Sequence, residues 1–96
     1  MTRNYEITYI MPVNLHDEEQ KATEARVIEW ITSAGGTIKT SSHWGRRRLA
    51  YPIGTNREGY YVFLQAEMPP SALKDFERRM QIDANIIRHL VVRIDE

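Results

Sequence analysis

Three consecutive arginines, at positions 46 to 48, are the part of this chain whose residue types most clearly predict a chemistry. They stand directly before an apolar run, and the block reads Gly-Arg-Arg-Arg-Leu-Ala-Tyr-Pro-Ile from Gly45 to Ile53. A guanidinium group pairs with phosphate through two parallel hydrogen bonds, and it also stacks on bases. Because burying an unpaired charge is strongly unfavourable, we expect an exposed or edge strand whose arginines are free to meet phosphate.

An extended backbone divides this block between two faces, because successive side chains point to opposite sides of a strand. Neither face can then be wholly buried. One face would carry Arg46, Arg48 and Ala50, and the other would carry Arg47, Leu49 and Tyr51.

Catalytic and metal chemistry have little support in the sequence. No spacing places two of the three histidines, His16, His43 and His89, on one helical turn as a metal pair requires. The carboxylates are scattered, no glycine-rich phosphate loop occurs, and no serine has the surroundings of a nucleophile elbow. We therefore expect no enzyme, no metal, no cofactor and no small-molecule substrate.

The composition is that of one folded domain spanning residues 1–96. Hydrophobic residues make up 42% of the chain, the formal net charge is zero and cysteine is absent, which fits a reducing compartment. No apolar stretch approaches the roughly 20 residues of a membrane span, and the N-terminus leads directly into a patterned strand. We expect an uncleaved cytoplasmic protein without a membrane partner. Basic residues outnumber acidic ones only in the second half, which permits nucleic-acid binding by one face.

The first half of the chain predicts a strand followed by a helix. Apolar and polar residues alternate from Tyr5 to Met11, which is typical of a half-buried strand. Asn14 is the expected N-cap of a helix that runs to Ser33. Gly35 and Gly36 would then end it in the left-handed conformation.

The second half predicts two strands joined by a hairpin, then a helix and a last strand. Both faces of the last strand carry apolar residues, so either face could be the buried one. The predicted segments are a strand over Thr37–Leu49, a hairpin loop over Gly54–Gly59, a strand over Tyr60–Met68, a helix opened by Pro69 and Pro70, and a strand over Ile86–Ile94.

The order βαββαβ predicts an α+β ferredoxin-like sandwich, the split βαβ fold. Right-handed crossovers place both helices on one face of a four-stranded antiparallel sheet. The other face stays uncovered, and residual aromatic surface there would meet a partner. Its expected side chains are Glu6, Thr8, Tyr61, Phe63 and Gln65.

These features resemble the bacterial small-subunit ribosomal protein six family over essentially the whole chain. The matching pieces are the opening strand Arg3–Ile7, the Gly35-Gly36 pair, the block from Arg47 to Ile53, Gly59-Tyr60, and Glu67-Met68-Pro69. The resemblance implies the split βαβ fold in a ribosomal component that is not an enzyme. It also implies pairing with small-subunit ribosomal protein eighteen and binding to ribosomal RNA of the small-subunit platform.

The resemblance places Arg46, Arg47 and Arg48 in the family's basic segment and Arg3 at its basic N-terminal start. We expect these arginines to face RNA, and we add Arg88 and Arg93 as further candidates. The family's apolar continuation predicts a partner surface or a seam under the hairpin at Leu49, Ala50 and Tyr51. Tyr61 and Phe63 would pack against the partner or simply be partly exposed, with base stacking as the alternative.

A second reading comes from another class of protein. A ferredoxin-like interaction or sensor module would self-associate through its open sheet face and bind no nucleic acid, and the arginines would then be solubilising charge. Some relatives in the family extend into an acidic C-terminal tail. Because this sequence ends at Asp95-Glu96, we expect little or no role for such a tail.

Overall fold

The described residues, 1–94, form one antiparallel sheet with two helices in this computed structural model. The strands lie in the order β2-β3-β1-β4, so β2 and β4 are the edges. The predicted ferredoxin-like βαββαβ fold is confirmed, while the expectation about Asp95-Glu96 lies outside the described residues. The elements are β1 (Arg3–Pro12), α1 (Asp17–Ser33), β2 (Thr37–Ile53), β3 (Asn56–Met68), a short 3-10 turn (Pro70–Ala72), α2 (Leu73–Ile82) and β4 (Arg88–Arg93).

The core lies between the helices and one face of the two central strands. Alternate residues of β1 and β3 point to that face because side chains alternate across a strand. The antiparallel register places Ile7 beside Leu64 and Tyr9 beside Val62. The helices cover this layer with apolar stripes, so the opposite sheet face carries no helix. The buried helix side chains in contact with it are Val27, Ile31, Phe76 and Met80.

The last strand, β4, presents one face to the core. Val91 pairs with Ile7 and His89 pairs with Tyr9, so both lie on the helix-bearing side. Leu90 and Val92 consequently lie on the open side, where both are exposed. The register of β4 against β1 thus decides between the two orientations that the sequence left open.

The ends of α1 differ in how well the sequence predicts them. Asn14 is not the N-cap: the helix begins at Asp17, and its N-cap residue His16 makes no side-chain capping bond. Three acidic residues in the first turn instead complement the positive end of the helix dipole. At the C-terminus of α1 the left-handed stop is confirmed at Gly35, which has φ 89°, but Gly36 does not share that conformation. The amide of Gly36 donates to the carbonyl of Ile31 at 2.9 Å.

A polar contact ties α1 to the turn before β4. Arg26 donates from Nε to Asp83 Oδ2 at 3.0 Å and from Nη2 to Asp83 Oδ1 at 3.1 Å. The buried Thr23 hydroxyl accepts bonds from Arg26 and Asn85 and donates to the carbonyl of Glu19. This cluster fixes the start of β4 against the helix.

The β2–β3 hairpin is longer than the sequence predicts. Its strands continue to Ile53 and resume at Asn56, which leaves only Gly54 and Thr55 in the turn. Ile53 pairs with Asn56, so most of the segment predicted as a loop, Gly54–Gly59, belongs to β3 despite its turn-forming residues. Gly59 is a buried strand residue, and a Cβ there would lie 2.2 Å from Ile10 Cγ2.

Candidate nucleic-acid interface

A β-bulge in β2 sets the direction of the arginine side chains. The register passes from His43 opposite Val62 to Gly45 opposite Tyr61, which leaves Trp44 as the extra residue. Gly45 adopts φ 79° at this point. Trp44 therefore lies on the open sheet face, and its ring stacks on Phe63 at 5.3 Å between centroids and 8° between planes.

After the bulge, the three arginines alternate along an exposed edge strand. Arg46 pairs with Tyr60, Arg47 with Gly59 and Arg48 with Glu58. Arg47 points to the open face, and Arg46 and Arg48 point to the helix-bearing side. All three residues are exposed, as predicted for this block.

The three guanidinium groups have different neighbours. Arg46 donates from Nε to Glu58 Oε1 at 3.0 Å and forms an exposed ion pair with it. Arg47 donates from Nε to the carbonyl of Trp44 at 3.4 Å. Arg48 makes no ion pair with any residue in the described range 1–94. The block therefore offers anions unequal amounts of free charge.

The six predicted RNA-facing arginines fall into two groups. Arg88 pairs with Ile10 and lies at the same end of the sheet as residues 46 to 48. Arg3 pairs with Met68 and Arg93 pairs with Tyr5, which places both at the other end of β1, a strand about 30 Å long. One RNA contact spanning both groups would have to follow the length of the sheet.

The predicted partner residues Leu49, Ala50 and Tyr51 are also in different environments. Leu49 is buried beside Ile10 and Gly59, which fits a seam beneath the hairpin, while Ala50 is exposed. The Tyr51 ring is 56% exposed, and the guanidinium carbon of Arg88 lies 5.4 Å from its centroid. Arg88 also donates a hydrogen bond to the Tyr51 hydroxyl.

The open face contains functional candidates beyond the predicted site residues. Trp44 covers one side of Phe63 and is itself 47% exposed, so Trp44 is the outermost ring of that pair. A groove of about 320 Å³ runs beside it, lined in part by Tyr61 and Leu90. The alternation of β4 predicts that Leu90 lies on one face of the sheet. Only the register of β4 against β1 shows that this is the open face.

The histidines do not converge on a metal site within residues 1–94, where no group of three potential ligands occurs. His43 Nε2 lies 2.5 Å from Glu24 Oε1, which links the edge strand to α1. No helix in the described part of the chain is long and apolar enough to cross a membrane.

Residues 4–93 match the family described as Ribosomal protein S6. The chain belongs to the ribosomal protein S6 family. The crystal structure of 30S ribosomal protein S6 from Thermotoga maritima is similar at 27% identity and TM-score 0.91, covering 98% of this chain and 89% of that one. The C-terminal domain of the MgtC protein from Mycobacterium tuberculosis, at 12% identity and TM-score 0.67, covers 96% of this chain and 87% of its own and shows the fold alone.

Membership of the S6 family confirms the resemblance found in the sequence. This S6-family chain is a small-subunit ribosomal protein, which locates it to the ribosome of the cytoplasm. The family consists of structural ribosomal proteins and is not an enzyme family.

Proposed function

We propose that this S6-family chain binds ribosomal RNA of the small-subunit platform together with small-subunit ribosomal protein eighteen, and that it performs no reaction. The observation that carries the proposal is the exposed arginine block on the edge strand β2, next to an uncovered sheet face. The role is to hold RNA and a second protein in one orientation.

Phosphate contacts by the arginines provide the RNA-binding part of this role. The planar guanidinium fork pairs bidentately with phosphate oxygens and retains its charge at every physiological pH. Arg47 and Arg48 are the main contacts, and Arg46 contributes less because it is ion-paired with Glu58. Arg88 adds a contact at the same end of the sheet, and Arg3 and Arg93 add contacts at the other. If about three phosphates are neutralised, the logarithm of affinity falls with the logarithm of salt at a slope of roughly −2 to −3. The chain alone therefore binds RNA weakly.

The uncovered sheet face provides the protein-binding part. Leu90, Val92 and Tyr51 are exposed apolar or aromatic side chains on this face, and Tyr61 and Phe63 are half-buried between them. Such a patch gains free energy when a partner covers it. Protein eighteen would add its own charges to those of β2, so the pair binds RNA more tightly than either protein.

The proposal is tested by RNA binding and sedimentation with protein eighteen and small-subunit ribosomal RNA. A variant with Arg46, Arg47 and Arg48 changed to alanine should stay folded and bind RNA at least tenfold more weakly, with a shallower salt slope. The matched control changes Lys21, Lys74 and Arg78, three exposed cations on the helices, to alanine. It should retain the salt slope of the unmodified chain.

Two results would contradict the proposal. One is an unchanged salt slope in the arginine variant. The other is a chain that sediments as a homodimer and neither joins protein eighteen nor binds RNA, which is the behaviour of the self-associating module.

A further inference from the structure

A cleft lies between the segment that joins β1 to α1 and the turn of the β2–β3 hairpin. Its volume of about 500 Å³ is within the range of small-ligand sites, so it has room for one nucleotide unit. The residues that line it come from three separate parts of the chain: Val13, Asn14, Arg48, Thr55, Asn56, Arg57 and Glu58.

Two of the lining residues are arginines that arrive from opposite strands of the hairpin. Arg48 belongs to β2 and Arg57 to β3, and the short turn at Gly54 and Thr55 folds the strands back on each other. Both arginines are exposed, and within residues 1–94 neither forms an ion pair. Arg57 is not part of the arginine triplet at positions 46 to 48.

The acidic residue in the cleft is already neutralised. Glu58 pairs with Arg46, whose Nη2 lies 2.9 Å from Glu58 Oε1. Arg46 therefore balances the charge of Glu58, and Arg48 and Arg57 leave the cleft positive. The Asn14 side-chain amide and the Thr55 hydroxyl add hydrogen-bond donors of the kind that contact phosphate oxygens.

We propose that this cleft binds a phosphate group of the RNA backbone between Arg48 and Arg57, which deepens the RNA-binding function proposed above and rests on it. Two guanidinium forks on opposite strands grip one phosphate from two directions, which a single run of arginines on one strand does not allow. The ion pair with Arg46 offsets the negative charge that Glu58 brings to the wall of the cleft.

The test measures binding to small-subunit ribosomal RNA, in the presence of protein eighteen, across a salt series. Arg57→Ala and Arg48→Ala should each weaken binding about tenfold and reduce the salt slope by about 1. The matched control, Arg78→Ala, removes one exposed cation from α2 and should change neither quantity beyond the general effect of lost charge. Thermal unfolding of each variant checks that the fold is intact.

The outcomes separate this inference from the function on which it rests. Failure of the unmodified chain to bind RNA with protein eighteen overturns the proposed function itself. Normal binding by the unmodified chain, with Arg48→Ala and Arg57→Ala indistinguishable from Arg78→Ala, overturns only the cleft.

Free phosphate is the other source of the same chemistry. Titration with inorganic phosphate, followed through the backbone amide signals of Asn14, Asn56 and Arg57, tests it directly. Saturable shifts at low millimolar phosphate, combined with unchanged RNA binding by Arg57→Ala, would assign the cleft to a free anion and overturn the RNA assignment. Small shifts with phosphate and a lower RNA salt slope in Arg57→Ala support the RNA backbone.

Discussion

Arg46, Arg47 and Arg48 are consecutive in the chain, yet each lies in a different environment. Arg46 is paired with Glu58, Arg47 bonds the carbonyl of Trp44, and Arg48 faces the cleft at the hairpin turn. Exposed ion pairs contribute little to stability, so the pairing of Arg46 matters mainly for the charge it removes from the surface. The same residue type therefore has different neighbours at each of the three positions.

The buried hydroxyl of Tyr9 makes the stability of the fold depend on pH. Burial in the core raises the pKa of the Tyr9 hydroxyl above its usual value, and the Glu24 carboxylate adds to the shift. The folded protein keeps this proton to a higher pH than the unfolded chain does. The free energy of unfolding is therefore unaffected by this group below about pH 10, and it falls as the pH rises further because only the unfolded chain then loses the proton. Between pH 9 and 11 the wild type should lose about 1.4 kcal/mol more unfolding free energy than Tyr9→Phe.

Urea unfolding of both proteins at pH 9, 10 and 11 checks this difference. The two chains differ only in the Tyr9 hydroxyl, so the contribution of the rest of the protein cancels in the comparison. Parallel stability curves for the wild type and Tyr9→Phe would contradict the assignment.

At the scale of elements, the passage from α1 into β2 depends on close backbone approach. A Cβ on Gly36 would lie 2.5 Å from the carbonyl oxygen of Glu67 and 2.8 Å from that of Ile31. These are backbone atoms that hold the helix end and the neighbouring strand, so they have little freedom to move away.

Gly36→Ala should accordingly lower the free energy of unfolding by about 3 kcal/mol, the upper part of the range for overpacked sites. The control is Gly45→Ala, where nothing lies within 4 Å of the added Cβ and only the positive φ of 79° is unfavourable. That change should cost about 1 kcal/mol. Urea denaturation measures the free energy of unfolding of both variants. Equal losses of this free energy would contradict the steric explanation.

At the scale of the whole molecule, the sheet has one face covered by helices and one face that the chain itself leaves open. The open face carries Leu90, which is 61% exposed, and the helix side carries Ile82, which is 75% exposed. Both are large apolar side chains in solvent, but only Leu90 belongs to the surface proposed for protein eighteen.

Leu90→Glu should therefore weaken association with protein eighteen at least tenfold, because the complex would bury an unpaired carboxylate. Ile82→Glu should leave the association unchanged, and neither variant should unfold the domain. Isothermal titration calorimetry with purified protein eighteen measures the affinity of each variant. Equal affinities for the two variants would place the partner on another surface.

The predictions that succeeded rest on local patterns. Alternation from Tyr5 to Met11 and the glycine pair after Ser33 identify a strand and a helix end, since each pattern acts within a few residues. The prediction of Asn14 as an N-cap was wrong, because the chain makes a turn before α1 begins at Asp17. Leu49 was predicted on a partner surface or in a seam, and its burial beside Ile10 depends on a strand distant in sequence.

The sequence by itself determined the order and type of the elements and the exposure of the arginine block, because periodicity, glycine and charge act locally. Only the tertiary structure decided which face each arginine takes, since the bulge at Trp44 sets the alternation that follows it. The pairing of Arg46 with Glu58 and the presence of Arg48 and Arg57 along one cleft likewise depend on the register between two strands. Register is a property of the paired strands, and neither strand specifies it alone.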